Sequence, residues 1–352
     1  MGLGIAIAVN GQPDEELARA STVEIQERMD MAATFSIRYD IDISEGDIPF
    51  LIDSRIDAGS EISVVVPVDD TNHCLVKGPV QGQNIHMEHG GEGSRVEIKG
   101  SDTSIIMDRE TQSVAWSDVK DSDVVNSILG NYGYTADVQS TNALHETNKH
   151  TLIQRESDLG FIRRLSRRNG YNFWITVDEN GDETAHFRRP ELSGNAEAEL
   201  VINLEDPNLG SIDIEWDVEY PTSMEGKQLD LNTKDDMDVA VSETPQEILG
   251  SDGLGAITGD TRSVHLSAPA DDTGDLQARG EGAIIEADWF IKASCQTTLE
   301  NLGNPVRANT IIDLKGAGSR YSGKYYVSGV KHIIDASQHK MEIELIRNGW
   351  GE

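Results

Sequence analysis

Two-residue alternation of apolar and polar side chains runs through most of this chain and restricts its fold more than any other feature. VEIQERM (from Val23), ATFSIRYDI (from Ala33), EISVVVPV (from Glu61), GQNIHMEH (from Gly82) and SRVEIKG (from Ser94) all carry it, with Gly, Asp and Asn between segments. Successive side chains of an extended chain point to opposite faces, so this is the pattern of half-buried strands. GLGIAIAV near the N-terminus reads as a first strand. The texture resumes from about Ala185 in AHFRRP, ELVINLE and SIDIEWDVE, and again in ANTIIDLKG, KYYVSGVKHII and HKMEIELIR. In the last of these Met341, Ile343 and Leu345 face one way and Glu342 and Glu344 the other, and ASQ just before it fits a hairpin turn.

Two helical segments interrupt the pattern after a first block that ends near Arg109. In SDVKDSDVVNSILGNYGY, Asp121 or Ser122 is placed to cap a helix, Val124, Val125, Ile128 and Leu129 form its stripe, and Gly130 reads as its stop. In SDLGFIRRLSRRNGYNFWI, Ser157 is the cap and Asp158 sits where the helix dipole favours negative charge. Leu159, Phe161, Ile162 and Leu165 supply the apolar stripe and Gly170 the stop, before YNFWITV reverts to a strand. A further helix is expected across LQARGEGAIIEADWFIKAS despite its two glycines. The acid-rich stretch from about 229 to 275 reads as loop and irregular structure. At 352 residues the chain has room for two domains or three small ones. The expected division is a β-domain over 1–112, an α+β insert over 113–185 and a second β-domain over 186–352 with the acidic insertion.

Charge narrows the range of partners. With 62 acidic and 29 basic side chains the net charge is −33, and only 11 of the bases are lysines. Such a surface repels nucleic acid and anionic membranes, which argues against a specific nucleic-acid partner. Abundant carboxylates with scarce lysine fit a high-salt environment, where screening removes self-repulsion, so a halophilic source is expected; a merely acidic marine protein is the alternative. Cys74 and Cys295 have no near partners and read as small buried apolar side chains, not a disulfide or a zinc site. No apolar run approaches the ~18 residues of a membrane span, and GLGIAIAV lacks the basic flank of a signal peptide, so no membrane insertion and no general export are expected.

An internal echo links the two β-rich ends. EISVVVPV is followed by KGPVQG (from Lys77) and RVEIKG (from Arg95), and TIIDLKG is followed by KYYVSG (from Lys324) and KMEIEL (from Lys340). Strand, turn, K-x-x-V-x-G and a basic residue opening an alternating strand recur with gaps that differ by two residues, which suggests two similar small β-barrels or sandwiches flanking the insert.

Catalytic and metal signatures are missing from the sequence. HETNKH sets His145 and His150 five apart, about 140° around a helix, whereas a zinc helix needs them four apart. HMEHG brings His86 and Glu88 to one strand face but offers no third ligand. GAGSRYSG (from Gly316) lacks the phosphate-loop order and reads as a turn, and no G-x-S-x-G is present. No catalytic residue, cofactor or metal is expected. The remaining candidate is a cluster of four arginines within six positions, Arg163, Arg164, Arg167 and Arg168. It is either a charge balance for carboxylates of this chain or a contact with an acidic assembly partner.

The order of these pieces resembles a known family. SDLGFIRRLSRRNGYNFWI resembles the element of phage late control protein D, and of the hub portion of the type VI secretion protein VgrG, in which an S-D-x-x-F-[IL]-x-R-[IL] helix leads into a G-Y-x-F strand. Ser157, Asp158, Phe161, Ile162, Arg164, Leu165, Gly170, Tyr171 and Phe173 occupy those places, and Ser322, Gly323, Tyr325, Val327, Val330 and His332 match the closing hairpin. ADWFIKASCQTTLENLGNPVRANTIIDLKG resembles the approach to it. The resemblance implies a structural hub and not an enzyme. It implies a fold that is mainly β with an α+β insert: two related small β-barrels flanking a helix-containing domain, in a homotrimeric pseudo-six-fold ring. Implied partners are the chain itself, a central spike protein, the tail tube or its initiator, and wedge or sheath-initiating proteins. Because the sequence runs only a few residues past the last hairpin, a separate spike protein is expected. The implied location is a virion tail baseplate or an extracellular injection particle, assembled in the host cytoplasm. A tail-associated envelope hydrolase and a surface or receptor-binding β-protein are the alternatives.

Overall fold

The computed structural model describes residues 4–41, 49–89, 93–147, 151–229, 234–267, 270 and 272–351. Most alternating segments are strands: β1 (Ala6–Val9), β2 (Thr22–Arg28), β3 (Thr34–Asp40), β4 (Glu61–Val68), β5 (Thr71–His86) and β6 (Arg95–Ser101). Then come α1 (Asp121–Tyr132), β7 (Thr135–Val138), α2 (Asp158–Asn169), β8 (Asn172–Val177) and β9 (Glu183–Arg188). The main elements after these are β10 (Ala198–Val201), β11 (Ile212–Trp216), β12 (Ser223–Leu229), β13 (Asp236–Val241), β14 (Ser263–Leu266), α3 (Thr273–Ala287), β15 (Ile291–Thr298), β16 (Ile311–Lys315), β17 (Gly323–Asp335) and β18 (His339–Arg347). The fold is mainly β, built on one large sheet with few helices.

Period-two burial explains why these residues are strands. In β2, Val23 and Ile25 are fully buried while Thr22, Glu24 and Gln26 are half-buried. β18 repeats this with Met341, Ile343 and Leu345 inside and Glu344 outside. One core gathers the inward residues of β2 to β6, and a second gathers those of β15 to β18.

The echo in the sequence is a repeated topology. Within the large sheet, neighbouring strands run β4–β5–β6–β3–β2 in the first half and β16–β17–β18–β15–β11 in the second. Both orders thread the chain identically: the first two strands pair, and the last three form a meander beside them. Each V-x-G is a β-bulge, with the register shifting between Val80 and Gly82 and between Val327 and Gly329. The turns feeding these points correspond as well. Val80 exchanges backbone hydrogen bonds with Gly59 and Ser60, and Val327 does so with Asn309 and Thr310. Gly59 and Asn309 both have left-handed φ, 89° and 66°.

The two halves are joined edge to edge. β17 pairs antiparallel with β2, from Gly329 opposite Arg28 to Asp335 opposite Thr22. Arg307 clamps this seam: its Nε donates to Glu27 Oε1 at 2.7 Å, and its other nitrogens donate to the Cys74 and Leu75 carbonyls at 2.8 and 3.0 Å. Glu27 Oε2 accepts from the Ala308 N–H at 3.1 Å. Burial pushes the Glu27 carboxyl up and Arg307 opposes the shift.

Three readings from sequence are corrected. α1 does not stop at Gly130; it runs to Tyr132 and ends on Gly133, whose φ is 79°. Its start is closed by Asp123 accepting from the Lys120 N–H at 3.0 Å, not by Asp121 or Ser122. The helix expected across 276–294 begins at Thr273 and ends at Ala287, and WFIKAS turns into β15. Its glycines are packing positions: a side chain at Gly282 would sit 2.9 Å from the Gly170 backbone nitrogen. Finally, the acidic stretch is not irregular throughout. β12, β13 and β14 form a small sheet covered by α3, with Met224, Met237, Val239, Val241, Leu276 and Ile284 as its core. Acids on the outer face of β13 hid its alternation.

Beside the seam, His332 Nδ1 and His339 Nε2 lie 2.9 Å apart, so one ring donates to the other. Glu27 lies 3.9 Å from His332 Nε2. Burial holds the His332 imidazole well below its ordinary range, with His339 and Arg307 adding to it, and burial pushes His339 down to about 4. The unfolded chain therefore binds the extra proton between about pH 6.5 and pH 4, and stability falls as pH falls through that window. Replacing His339 with Gln should flatten this part of the stability profile by up to ~3 kcal/mol. Denaturant unfolding of both proteins at pH 7 and pH 4.5, at fixed high salt, checks it; parallel profiles would refute the assignment.

Candidate assembly interface

α2 is built as its sequence requires. Ser157 Oγ accepts from the Gly160 N–H at 3.1 Å, and Asp158 accepts from Tyr132 Oη at 2.8 Å and from the Gln154 amide at 2.6 Å. Leu159, Phe161, Ile162 and Leu165 are fully buried, and Gly170 closes the helix with φ 65°. A side chain at Gly170 would meet Ile285 and Gly282 of α3 at under 3 Å, so the C-terminus of α2 lies directly on α3.

The structure divides the four arginines. Arg168 is an internal brace: its Nη2 donates to Asp275 Oδ1 at 2.7 Å, and its Nε lies 3.2 Å from Asp121 Oδ2. Asp121 is fully buried and also accepts from His145 Nε2 and the Asn169 amide, each at 2.8 Å. One guanidinium thus ties α2 to α1 and α3. Arg163 is half-buried and acts on Asp30, whose carboxyl burial pushes up and Arg163 and Arg167 pull down. Arg164 lies over the Phe161 ring at 4.8 Å and donates to Glu156 at 2.6 Å, while Arg167 is 73% exposed. The exposed heads open on a cleft of about 560 Å³ between α2 and α3. Arg279 adds a fifth arginine to its wall, against only Glu156 and Glu286. In a chain of net charge −33 the cleft is a local excess of positive charge.

The other sequence candidates are accounted for by ordinary contacts. His145 is taken by Asp121, and His150 lies outside the described residues. His86 Nε2 lies 3.1 Å from Glu88 Oε1 at an exposed strand end. Gly318 to Ser322 form a turn through the Gly318 carbonyl. Cys74 and Cys295 are buried free thiols, pushed up by burial to about 11 and about 12.

One constellation was not legible in sequence. Thr176 Oγ1 and His186 Nε2 are 2.8 Å apart, and His186 Nδ1 is 2.8 Å from Asp137 Oδ2. Strand pairing of β7, β8 and β9 assembles them from positions 137, 176 and 186, which no spacing rule connects. The hydroxyl, imidazole and carboxylate stand in the order of a nucleophile relay. Trp174 stacks on the imidazole at 4.7 Å, and Arg188 also donates to Asp137 at 3.2 Å.

Comparison with solved structures identifies a tail-protein fold. A 43 kDa tail protein of prophage MuSo2 from Shewanella oneidensis superposes with a TM-score of 0.67 at 12% identity, covering 98% of each chain. A tail protein from Neisseria meningitidis MC58 gives 0.67 at 11% identity, over 98% of this chain and 96% of that one. The c3393 protein of E. coli, a type VI secretion component described as similar to the phage T4 tail proteins gp27 and gp5, gives 0.62 at 14% identity, over 98% and 79%. The chain belongs to the family described as the Alg8 N-terminal domain, whose model matches residues 3–336. No curated protein matches it.

Because Arg168 stands between buried carboxylates, reversing all four arginines together would damage the fold along with any interface. Arg168→Ala should cost about 3–5 kcal/mol, since it strips a partner from buried charges. Arg164→Glu with Arg167→Glu should cost under ~1 kcal/mol, as exposed pairs contribute little. Guanidinium unfolding midpoints read both, and equal losses would remove the distinction.

Proposed function

We propose that this chain is the structural hub of a contractile tail baseplate or of an extracellular contractile injection particle. As a homotrimer it would form a ring adapting a six-fold tail tube to a three-fold central spike. The observation that carries this reading is the twice-repeated five-strand order, joined edge to edge through β2 and β17, in a chain whose fold neighbours are tail proteins over nearly their whole length. Three chains with two such units each supply six similar units to the tube and three identical chains to the spike. On this reading the domains are 1–112, 113–185 and 186–352, with the small acidic sheet as an elaboration of the last. The chain's part is mechanical: it binds tube, spike and wedge or sheath-initiating proteins and catalyses nothing. The arginine cleft between α2 and α3 is the contact offered to an acidic wedge or sheath partner. A high-salt source accounts for the charge of −33.

The first test is mass by light scattering in multimolar salt. A particle of three times 38.5 kDa is expected. A monomer, both alone and co-expressed with a candidate spike protein from the same source, would overturn the hub.

A second reading, a tail-associated hydrolase, has the Thr176–His186–Asp137 relay in its favour. It requires clearing of envelope or peptidoglycan substrate in a zymogram, lost in Thr176→Ala. The hub reading expects no clearing by either protein.

A further inference from the structure

The seam inside the chain is a template for a contact that the chain leaves unmade. Following the pairings outward, Ile25 lies opposite Phe35, Phe35 opposite Gly100 and Gly100 opposite Val80. In the second half, Ile214 lies opposite Ala293, Ala293 opposite Leu345 and Leu345 opposite Val327. β11 is therefore the counterpart of β2, and the end of β5 after its bulge is the counterpart of the end of β17. Counting from the bulge glycines, Ile85 corresponds to His332 and Met87 to Ile334.

β2 and β17 meet within the chain, but their counterparts do not. Among the described residues, β11 pairs only with β15, and Gly82–His86 pairs only with β6. Burial records the difference. At the seam Val23, Ile25, His332 and Ile334 are at most 1% exposed. At the open edges Ile85 is 40% exposed, Met87 55% and Trp216 47%.

We infer that β11 of one copy pairs antiparallel with the 82–88 edge of a second copy, in the register of the seam. Ile25 opposite His332 and Val23 opposite Ile334 then become Ile214 opposite Ile85 and Ile212 opposite Met87. The apolar side chains of both edges fall on one face and continue the core. Asp213 opposite His86 and Glu215 opposite Asn84 fall on the other face, where polar side chains belong. The end of the seam is consistent too. There Arg28 Nη2 lies 3.2 Å from Glu344 Oε1. The corresponding positions are Asp217 and Lys99, an ion pair of reversed sign split between two copies. Pairing of this kind also covers two strand edges that carry exposed apolar residues and would otherwise invite aggregation. The inference rests on the hub reading and adds the residues that close its ring.

Disulfide trapping tests the register. Adjacent pairs in an antiparallel ladder alternate between Cα separations of about 4.5 and 5.5 Å, both within reach of a disulfide. Full-length Ile214→Cys with Ile85→Cys, and Asp213→Cys with His86→Cys, should each give covalent dimers and trimers on a non-reducing denaturing gel after mild oxidation in multimolar salt. Ile214→Cys with Gln83→Cys is two positions out of register, a separation of about 7–8 Å, and should give several-fold less. A light-scattering trimer that neither in-register pair cross-links, or that the shifted pair cross-links equally, overturns this interface and leaves the hub standing. A monomer that never cross-links overturns both. Reduced variants that keep the wild-type Tm establish that the substitutions spare the fold.

Discussion

The antiparallel seam between β2 and β17, locked by Arg307 on Glu27, is the contact on which the rest of the architecture depends. Without it each half would end in an open strand edge, and only the insert, which touches both, would join the two cores. Strand pairing alone does not fix their relative position, because a slide of two residues preserves the in–out alternation. Arg307 removes that freedom. Its three donor contacts reach a carboxylate on β2 and two carbonyls on β5, and only one register satisfies all of them. Glu27 in turn is tolerable inside because Arg307 and the Ala308 N–H occupy both of its oxygens.

From that joint the insert follows. α2 is held to α1 by apolar packing and to α3 by a glycine contact and one guanidinium, so the arginine-lined cleft sits on a rigid pair of helices. Placement on helices rather than loops gives such a surface a fixed shape.

What the sequence made legible was the local physics. Alternation located nearly every long strand, Ser157 and Gly170 marked the two ends of α2, and the K-x-x-V-x-G echo marked two equivalent places in the chain, which the structure shows to be bulges. The misses have physical causes. Gly130 has the residue type of a stop but packs on nothing that forbids helix, and the left-handed turn comes at Gly133. The alternation in DDMDVAV was obscured because its outward face is acid, and acid there is a matter of solvent, not of conformation. The division of the four arginines was beyond reach, since Arg168 differs from Arg167 only in what lies across the helix interface. Asp121 and Asp275 are distant in sequence and known to be neighbours only once the chain is folded.

The distribution of the scarce bases explains why so acidic a chain concentrates arginine on one helix. In concentrated salt an exposed ion pair is screened to little value, but a buried one is not. A chain with 29 bases for 62 acids is best served by placing guanidinium groups where water and salt cannot reach. Arg168 between three helices and Arg347, 1% exposed and donating to the Ser322 carbonyl at 2.9 Å, follow that rule, and Arg307 at the seam, 23% exposed, follows it in part. Each joins segments far apart in sequence, and each is an arginine, whose planar fork meets several acceptors at once where lysine offers a point charge. On α2, Arg164 and above all Arg167 break the rule. Arg167 is 73% exposed and lies 3.6 Å from the Asp30 carboxylate. A base left in that position adds little to the stability of its own fold, which is why the exposed arginines, and not Arg168, carry the proposed contact with a partner.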